Sequence, residues 1–157
     1  VVMDIDYRPY TWESLSKAAE IYKKASNYCS GIIGNDDEFG VLAKSYNNGY
    51  EYAKKLSEVT SLVIYKKGMN GSITFAEGTE IKKGIFPVTP LKPTGAGDAF
   101  MGALIGSLLN NNNIEKSIEI GSAAAAIVVT KVGCAPAMPN LNDILDFMKI
   151  NKISKGE

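Results

Sequence analysis

The sequence predicts an α/β domain built on a largely parallel sheet. Three observations carry that reading. Short apolar runs alternate with helical periodicity through the first part of the chain, a hairpin signal closes the strand series, and helices then follow one another toward the C-terminus.

The elements can be justified in order. Val1 to Ile5 is a short apolar run that reads as a strand. Trp12 to Ser26 has helical spacing, with Leu15, Ala18, Ala19 and Tyr22 on one face, Thr11 as the expected N-cap and Glu13 in the first turn. Gly31-Ile32-Ile33 is a second strand. Asp36 to Ser45 and Tyr50 to Leu56 read as helices separated by Asn47-Asn48-Gly49, and Ser61 to Tyr65 is a third strand. Ser72 to Ala76 and Thr79 to Phe86 are two more strands, joined by Glu77-Gly78, a tight hairpin signal. Pro87 to Pro93 is a connector. Gly97 to Leu109 and Ile114 to Lys131 are helices on either side of the polar turn Asn110 to Asn113, the second stopped by Gly133 and Pro136. Leu141 to Ile150 is a last amphipathic helix before a polar tail. No repeat, low-complexity tract or linker interrupts the series, so residues 1–157 read as one domain portion.

Composition narrows the function classes. With 45% hydrophobic and 22% charged residues, the 157-residue chain is of ordinary globular type. A formal net charge of +0, with no basic run, gives no electrostatic hold on nucleic acid or on anionic lipid, so neither is expected as a partner. The apolar stretch Ala99 to Leu109 is too short to span a bilayer. Histidine is absent, which removes Ser-His-Asp and Cys-His catalysis and leaves proton transfer to a carboxylate, lysine, tyrosine or cysteine. Cys29 and Cys134 have no CxxC spacing and read as reduced thiols of a cytoplasmic protein. Val1-Val2-Met3-Asp4 lacks the features of a signal peptide. It opens within a strand pattern, which leads to the expectation that a preceding part of the protein lies outside this sequence.

The strongest chemical feature is Thr94-Gly95-Ala96-Gly97-Asp98-Ala99-Phe100, a glycine-rich turn running straight into an apolar helix. Glycine permits positive φ and close backbone approach, and amides at a helix N-terminus attract anions. A carboxylate on that turn either caps the helix or accepts a proton from a hydroxyl attacking a bound phosphate, and chemistry alone leaves both open. No GxxxxGK[ST] occurs, so the turn is not a P-loop. Asn35 with Glu38 is a capping-box pattern, Gly68 to Gly71 a turn, and Ser122 to Ala126 a tightly packed helical run.

Taken together and in this order, these pieces resemble the ribokinase-like (PfkB) carbohydrate kinases. Gly95-Ala96-Gly97-Asp98 is similar to that family's C-terminal signature, which implies Asp98 as catalytic base and Gly95, Ala96 and Gly97 as an anion hole. Asn35-Asp36-Asp37-Glu38 matches its N-x-x-E motif, implying that Asn35 and Glu38 organise Mg2+ through water. Lys67-Gly68-Met69-Asn70-Gly71 matches the turn along the nucleotide, implying ATP contacts at Lys67, Gly68 and Gly71. Ser122 to Ala126 and Val132-Gly133-Cys134 match the alanine-rich helix and loop beside adenine, implying roles for Ser122 and Gly133. The resemblance implies a layered α/β/α ribokinase-like fold whose N-terminal part and lid lie outside this sequence. It also implies homodimerisation through that lid.

Lys92-Pro93-Thr94 departs from the family's usual Asp-Thr-Thr, which puts a monovalent-cation requirement in doubt and raises the possibility that Lys92 replaces the cation. The Lys-Pro variant and Asp4-Ile5-Asp6-Tyr7-Arg8-Pro9-Tyr10-Thr11-Trp12 resemble the branch acting on a keto-deoxy sugar acid, 5-dehydro-2-deoxygluconate, in inositol catabolism. Arg8 would face the acid or the phosphate, or else pair with Asp6 at the strand end. A different keto-deoxy acid or ribose as acceptor stays open, as does a nucleotide-binding module without catalysis.

Overall fold

The structure, a computed structural model, describes residues 1–156. The backbone falls into two compact units, Val1–Lys82 and the chain from Lys83 onward.

The first unit carries the sheet. β1 (Val2–Asp4), β2 (Gly31–Asn35), β3 (Leu62–Lys66), β4 (Ser72–Ala76) and β5 (Thr79–Lys83) lie side by side in sequence order. β1, β2 and β3 run parallel, with Asp4 opposite Ile33 and Ile33 opposite Ile64, while β4 returns antiparallel. Parallel strands buried on both faces need continuous apolar runs, and Ile32, Ile33, Val63 and Ile64 are fully buried. Between the strands come α1 (Leu15–Ser26), α2 (Asp36–Ala43) and α3 (Gly49–Leu56). One core joins Ile5, Ile32, Phe39, Leu42, Val63, Ile73 and Phe75, with Tyr50 and Tyr65 packed edge to face at 6.1 Å between ring centres.

The helices came out where the periodicity puts them, with local corrections. The N-cap of α1 is Ser14, whose Oγ accepts the Lys17 amide at 3.1 Å. Thr11 instead ends a 3-10 turn over Pro9–Thr11 and donates its hydroxyl to the Arg8 carbonyl, because Pro9 presets the first turn position. β5 stops at Lys83, short of Phe86. Beyond it the backbone pairs with the polar tail: the Ser154 amide donates to the Ile85 carbonyl at 2.8 Å and Ser154 Oγ accepts the Ile85 amide. A Cβ on Gly84 would collide with Ser154, so this approach requires glycine.

The second unit is helical: α4 (Ala96–Leu109), α5 (Ile114–Val129) and α6 (Leu141–Ile150). α4 and α5 pack through small residues, with Ala99, Ala123, Ala124 and Ala126 in a core that also holds Phe86 and Ile144. The close-packing glycine is Gly121, where an added Cβ would lie 2.9 Å from the Phe100 carbonyl and 3.0 Å from its ring. Gly102 and Gly106, on α4, have no atom within 4 Å of where a Cβ would stand. They line an open cavity of about 400 Å³ that has Asp98 at its rim. Ser107 and Ser117 share a buried hydrogen bond of 2.9 Å between α4 and α5, and Lys83 pairs with both Glu115 and Glu119 at 3.0 Å.

The contact geometry at Gly121 makes a prediction. Gly121→Ala forces α5 away from the Phe100 backbone, an overpacking worth about 1–3 kcal/mol. A calorimetric melt of this variant is expected to fall by several degrees, whereas Gly102→Ala, which meets no atom and raises helix propensity, is expected to melt at or above the parent temperature.

Candidate active site

The second unit holds the turn that precedes α4. Gly95 is its N-cap, with φ 91° and no side chain to cap the helix. In that conformation a Cβ would be strained, and it would also meet Cys134 Sγ at 2.7 Å and Val128 at 3.3 Å. Glycine here therefore lets the turn lie directly on the loop that follows α5, where Gly133 also has positive φ, 96°. Of the two sequence regions read as nucleotide-facing in this unit, the structure thus brings Gly95 and Gly133-Cys134 together. Ser122 lies within α5 and is buried, 8% exposed.

Asp98 is the third residue of α4 and is exposed. It does not cap: no side-chain cap bond closes this helix, and Asp98 has no hydrogen-bond or ion-pair partner among the described residues. The amides of Gly97 and Asp98 likewise have no acceptor among those residues, since only Ala96 and Ala99 of this turn donate, to Pro93 and Gly95. An apolar 14-residue helix thus begins with unpaired donors and a free carboxylate side by side, where an anion is favoured. Leu91 and Lys92 approach this turn with both amides on the Val129 carbonyl, at 2.7 and 3.0 Å, and the Lys92 side chain is exposed.

In the first unit, the parallel strands end in a row of polar residues. Asp4, Asn35 and Lys66 are the last residues of β1, β2 and β3, the edge at which open α/β sheets take their ligands. Asn35 caps α2: its Oδ1 accepts the Glu38 amide at 2.8 Å, while Glu38 Oε2 accepts the Asn35 amide at 2.7 Å. Glu38 Oε1 also takes the Tyr7 amide at 3.3 Å, so one carboxylate ties β1's exit to α2's start. Glu38 is only 6% exposed. Burial pushes its carboxyl up from the ordinary range, against the pull of the Asn35 amide and the nearby Lys66 ammonium.

Beyond β1, Asp6 has positive φ, 40°, and forms an exposed ion pair with Arg8. Positive φ at a non-glycine residue is backbone strain, concentrated here at a strand exit. After β3, Lys67 leads a 3-10 turn over Gly68–Asn70, closed by the Lys67 amide on the Gly71 carbonyl at 2.7 Å, with Gly68 and Gly71 both at positive φ. Nothing stands within 4 Å of a Cβ at Gly68, and Met69 is 86% exposed, so the turn presents bare backbone.

Magnesium can be tested against these donors. Both Glu38 oxygens already accept backbone amides, and no cluster of three or more acidic, cysteine or histidine side chains suited to a metal exists among the described residues. Asn35 and Glu38 therefore fit an ion that arrives on a phosphate and keeps its own water, not one ligated directly by protein.

Comparison with known proteins fixes the lineage. The family model of pfkB family carbohydrate kinases matches residues 2–141. The chain belongs to the pfkB family. Among curated members, it is 37% identical over 154 residues to 5-dehydro-2-deoxygluconokinase of Geobacillus kaustophilus, covering 95% of this chain and 46% of that protein. It is 36% identical to the protein of the same name from Geobacillus thermodenitrificans, covering 99% and 48%. The chain thus spans about half the length of the curated relatives it matches. Among solved structures it is similar to ribokinase from Thermotoga maritima (TM-score 0.75, 28% identity, 81% of this chain and 44% of that one). Aminoimidazole riboside kinase from Salmonella enterica, solved with its riboside and an ATP analogue, matches at TM-score 0.82 and 23% identity, over 94% and 52%. The ribokinase-like α/β fold is therefore present in this pfkB chain. No described helix is long and apolar enough to cross a membrane.

Two features of this pfkB site were not singled out from sequence. Asp4 and Lys66 became visible only once the parallel register put their strand ends together. The contact of Cys134 beneath Gly95 depends on where α5 ends, which no local pattern states.

Glu38 yields a pH prediction. Its folded pKa lies above the ordinary 4.5, so the fold favours the neutral carboxyl. The corresponding stability is present below the ordinary pKa and is lost as pH rises through the raised one. The melting temperature of the parent, taken relative to Glu38→Gln, should accordingly drop as pH climbs from below 4.5 into the neutral range. A difference that stays flat with pH would show that Glu38 titrates normally.

Proposed function

We propose that this chain carries the nucleotide-handling and catalytic residues of an ATP-dependent kinase that phosphorylates a primary hydroxyl of a keto-deoxy sugar acid, 5-dehydro-2-deoxygluconate. The observation that carries the reading is the start of α4, where the Asp98 carboxylate is free of every structural duty and stands in the same turn as unpaired amides. Asp98 takes the proton from the acceptor hydroxyl as it attacks the terminal phosphorus, and the bond from that phosphorus to the bridging oxygen breaks, releasing ADP. The amides of the Gly95–Gly97 turn hold charge on the transferring group. Donors that are already in place cost no reorganisation as the charge develops, which is how such transfers gain most of their rate.

Asn35 and Glu38 would hold magnesium through water, and that ion would neutralise phosphate charge when bound. Lys67, Gly68, Gly71, Ser122 and Gly133 shape the nucleotide's surroundings. A structural neighbour solved with ATP and Mg2+, a putative ribokinase II from E. coli, supports this choice of nucleotide and ion (TM-score 0.80, 20% identity). The acid-sugar acceptor rests on the names of the 36–37% identical relatives and on Arg8, whose planar guanidinium suits a carboxylate and is held at the β1 exit only by an exposed ion pair. A place in inositol catabolism and a cytoplasmic setting belong to the same proposal, the second in keeping with the free thiols of Cys29 and Cys134. Homodimerisation through a lid outside this sequence completes the reading.

The test is ADP release from ATP and magnesium by the full natural polypeptide carrying this chain, offered 5-dehydro-2-deoxygluconate, 2-keto-3-deoxygluconate and ribose. Turnover is expected on the first, and Asp98→Asn is expected to lower kcat by about 10²–10⁴-fold, the usual worth of a positioned base. Activity that survives in Asp98→Asn would refute the mechanism, and preference for ribose would refute the acceptor. With Lys92 standing where the family's usual motif has Asp, turnover should also be the same in sodium and potassium buffers; strong potassium activation would assign Lys92 to solvent.

A further inference from the structure

The turn before α4 has no side-chain cap, so its place must be set by something else. Its own hydrogen bonds, from the Ala96 amide to Pro93 and from the Ala99 amide to Gly95, are local and anchor it to no other element. Two contacts with the end of α5 do anchor it. The Val129 carbonyl takes the Leu91 and Lys92 amides, at 2.7 and 3.0 Å, and holds the chain on its way in. At Gly95, the space a Cβ would need is filled by Cys134 Sγ, 2.7 Å from that point, and by Val128 Cγ1, 3.3 Å from it.

This seat is firmly built. Val128 is fully buried in the core that also holds Ala99 of α4. Cys134 is fixed from both sides. Before it, Gly133 turns the chain at φ 96°. After it comes a 3-10 turn over Ala135–Ala137, with Pro136 near its start and the Ala137 amide donating to the Cys134 carbonyl at 3.1 Å. Ala137 is 2% exposed and locks that turn into the same core. The Cys134 thiol has no hydrogen-bond partner among the described residues, so what it offers Gly95 is volume.

A polar cap would also fix the start of α4, but by bonding first-turn amides and so using up the donors. A sulfur packed beneath Gly95 fixes the same turn and leaves the Gly97 and Asp98 amides open. Resting on the kinase reading above, we propose that Cys134, backed by Val128, is a positioning residue for phosphoryl transfer. The volume of its sulfur sets where the Gly97 and Asp98 amides and the Asp98 carboxylate stand against the transferring group. Cys134 acts through Gly95 and not on the substrate. A small displacement of such groups falls on the chemical step, while nucleotide affinity is spread over other contacts, so the loss belongs in kcat and not in KM for ATP.

The full natural polypeptide is compared with Cys134→Ala, Cys134→Ser and a packing control, Ile118→Val, at a fully buried position earlier on α5. ADP release gives kcat and KM for ATP, and calorimetric melts report folding. Cys134→Ala is expected to lower kcat about tenfold with KM for ATP within about twofold of the parent. Cys134→Ser restores a smaller atom at the γ position and is expected to recover kcat to about threefold below the parent. Ile118→Val should lower the melting temperature and leave kcat alone. Should Cys134→Ala fold poorly, Cys134→Ser decides, and a folded serine variant with the parent kcat would overturn the role.

The proposal also falls if folded Cys134→Ala keeps the parent kcat, if serine does no better than alanine, or if the loss is carried by KM. It falls again if kcat merely tracks melting temperature across all the variants, Ile118→Val included. In each case Cys134 only packs, and the kinase reading stands. A parent polypeptide that releases no ADP with 5-dehydro-2-deoxygluconate, 2-keto-3-deoxygluconate or ribose would instead sink the kinase reading, and this positioning role with it.

Discussion

Every amide at the start of a helix needs an acceptor, and the candidate chemistry of this chain depends on a 14-residue helix that has no side-chain cap. α1, α2, α5 and α6 begin at Ser14, Asn35, Asn113 and Asn140, each of which accepts an amide from the first turn. α4 begins at Gly95, which has no side chain to offer. The denial is built in from several sides. Positive φ at Gly95 excludes a Cβ, Cys134 occupies the space a side chain would need, and the small-residue contact of α5 with Phe100 fixes where the helix lies. Asp98 could in principle bend back as a cap, yet no side-chain cap bond closes this helix and the carboxylate stays exposed.

Glu38 shows the opposite economy, one group serving two structural demands at once. Its two oxygens satisfy amides from Asn35 and Tyr7, so the exit of β1 and the entry of α2 are held by the same buried carboxylate. Burial opposes its charge, while the Asn35 amide and Lys66 support it. Gly34 belongs to this arrangement, because a Cβ there would stand 2.6 Å from Ile5 and 3.2 Å from Glu38 Oε2. The strand-end row is thus stiff where it caps and loose where Lys66 rests on Asp4.

What the sequence made legible follows from how local each signal is. The capping box, the Glu77-Gly78 turn and the glycine turn into α4 are stated within a few residues and were readable. The cap of α1 was misread because Thr11 and Ser14 are both credible N-caps, and only the 3-10 turn set by Pro9 chooses between them. Gly102 and Gly106 form a spacing that suggests close packing, yet Gly121, alone in its stretch, makes the close contact. Glycine spacing says where backbone is accessible, not what approaches it. The end of β5 was misplaced for a related reason: Ile85 finds its partner in Ser154, far along the chain, and no local pattern anticipates that bond. Long-range register likewise hid Asp4 and Lys66, two residues that mean little until parallel strands align their ends.

The charge of the chain constrains how it can attract a phosphate at all. With 17 basic and 17 acidic residues and a formal net charge of +0, there is no general field to draw in an anion. The donors left open by the fold are local and short in range: unpaired amides on a helix dipole at α4 and bare backbone at Gly68. Local donors of this kind discriminate by geometry more than by charge, since an amide reaches an anion only along its own direction.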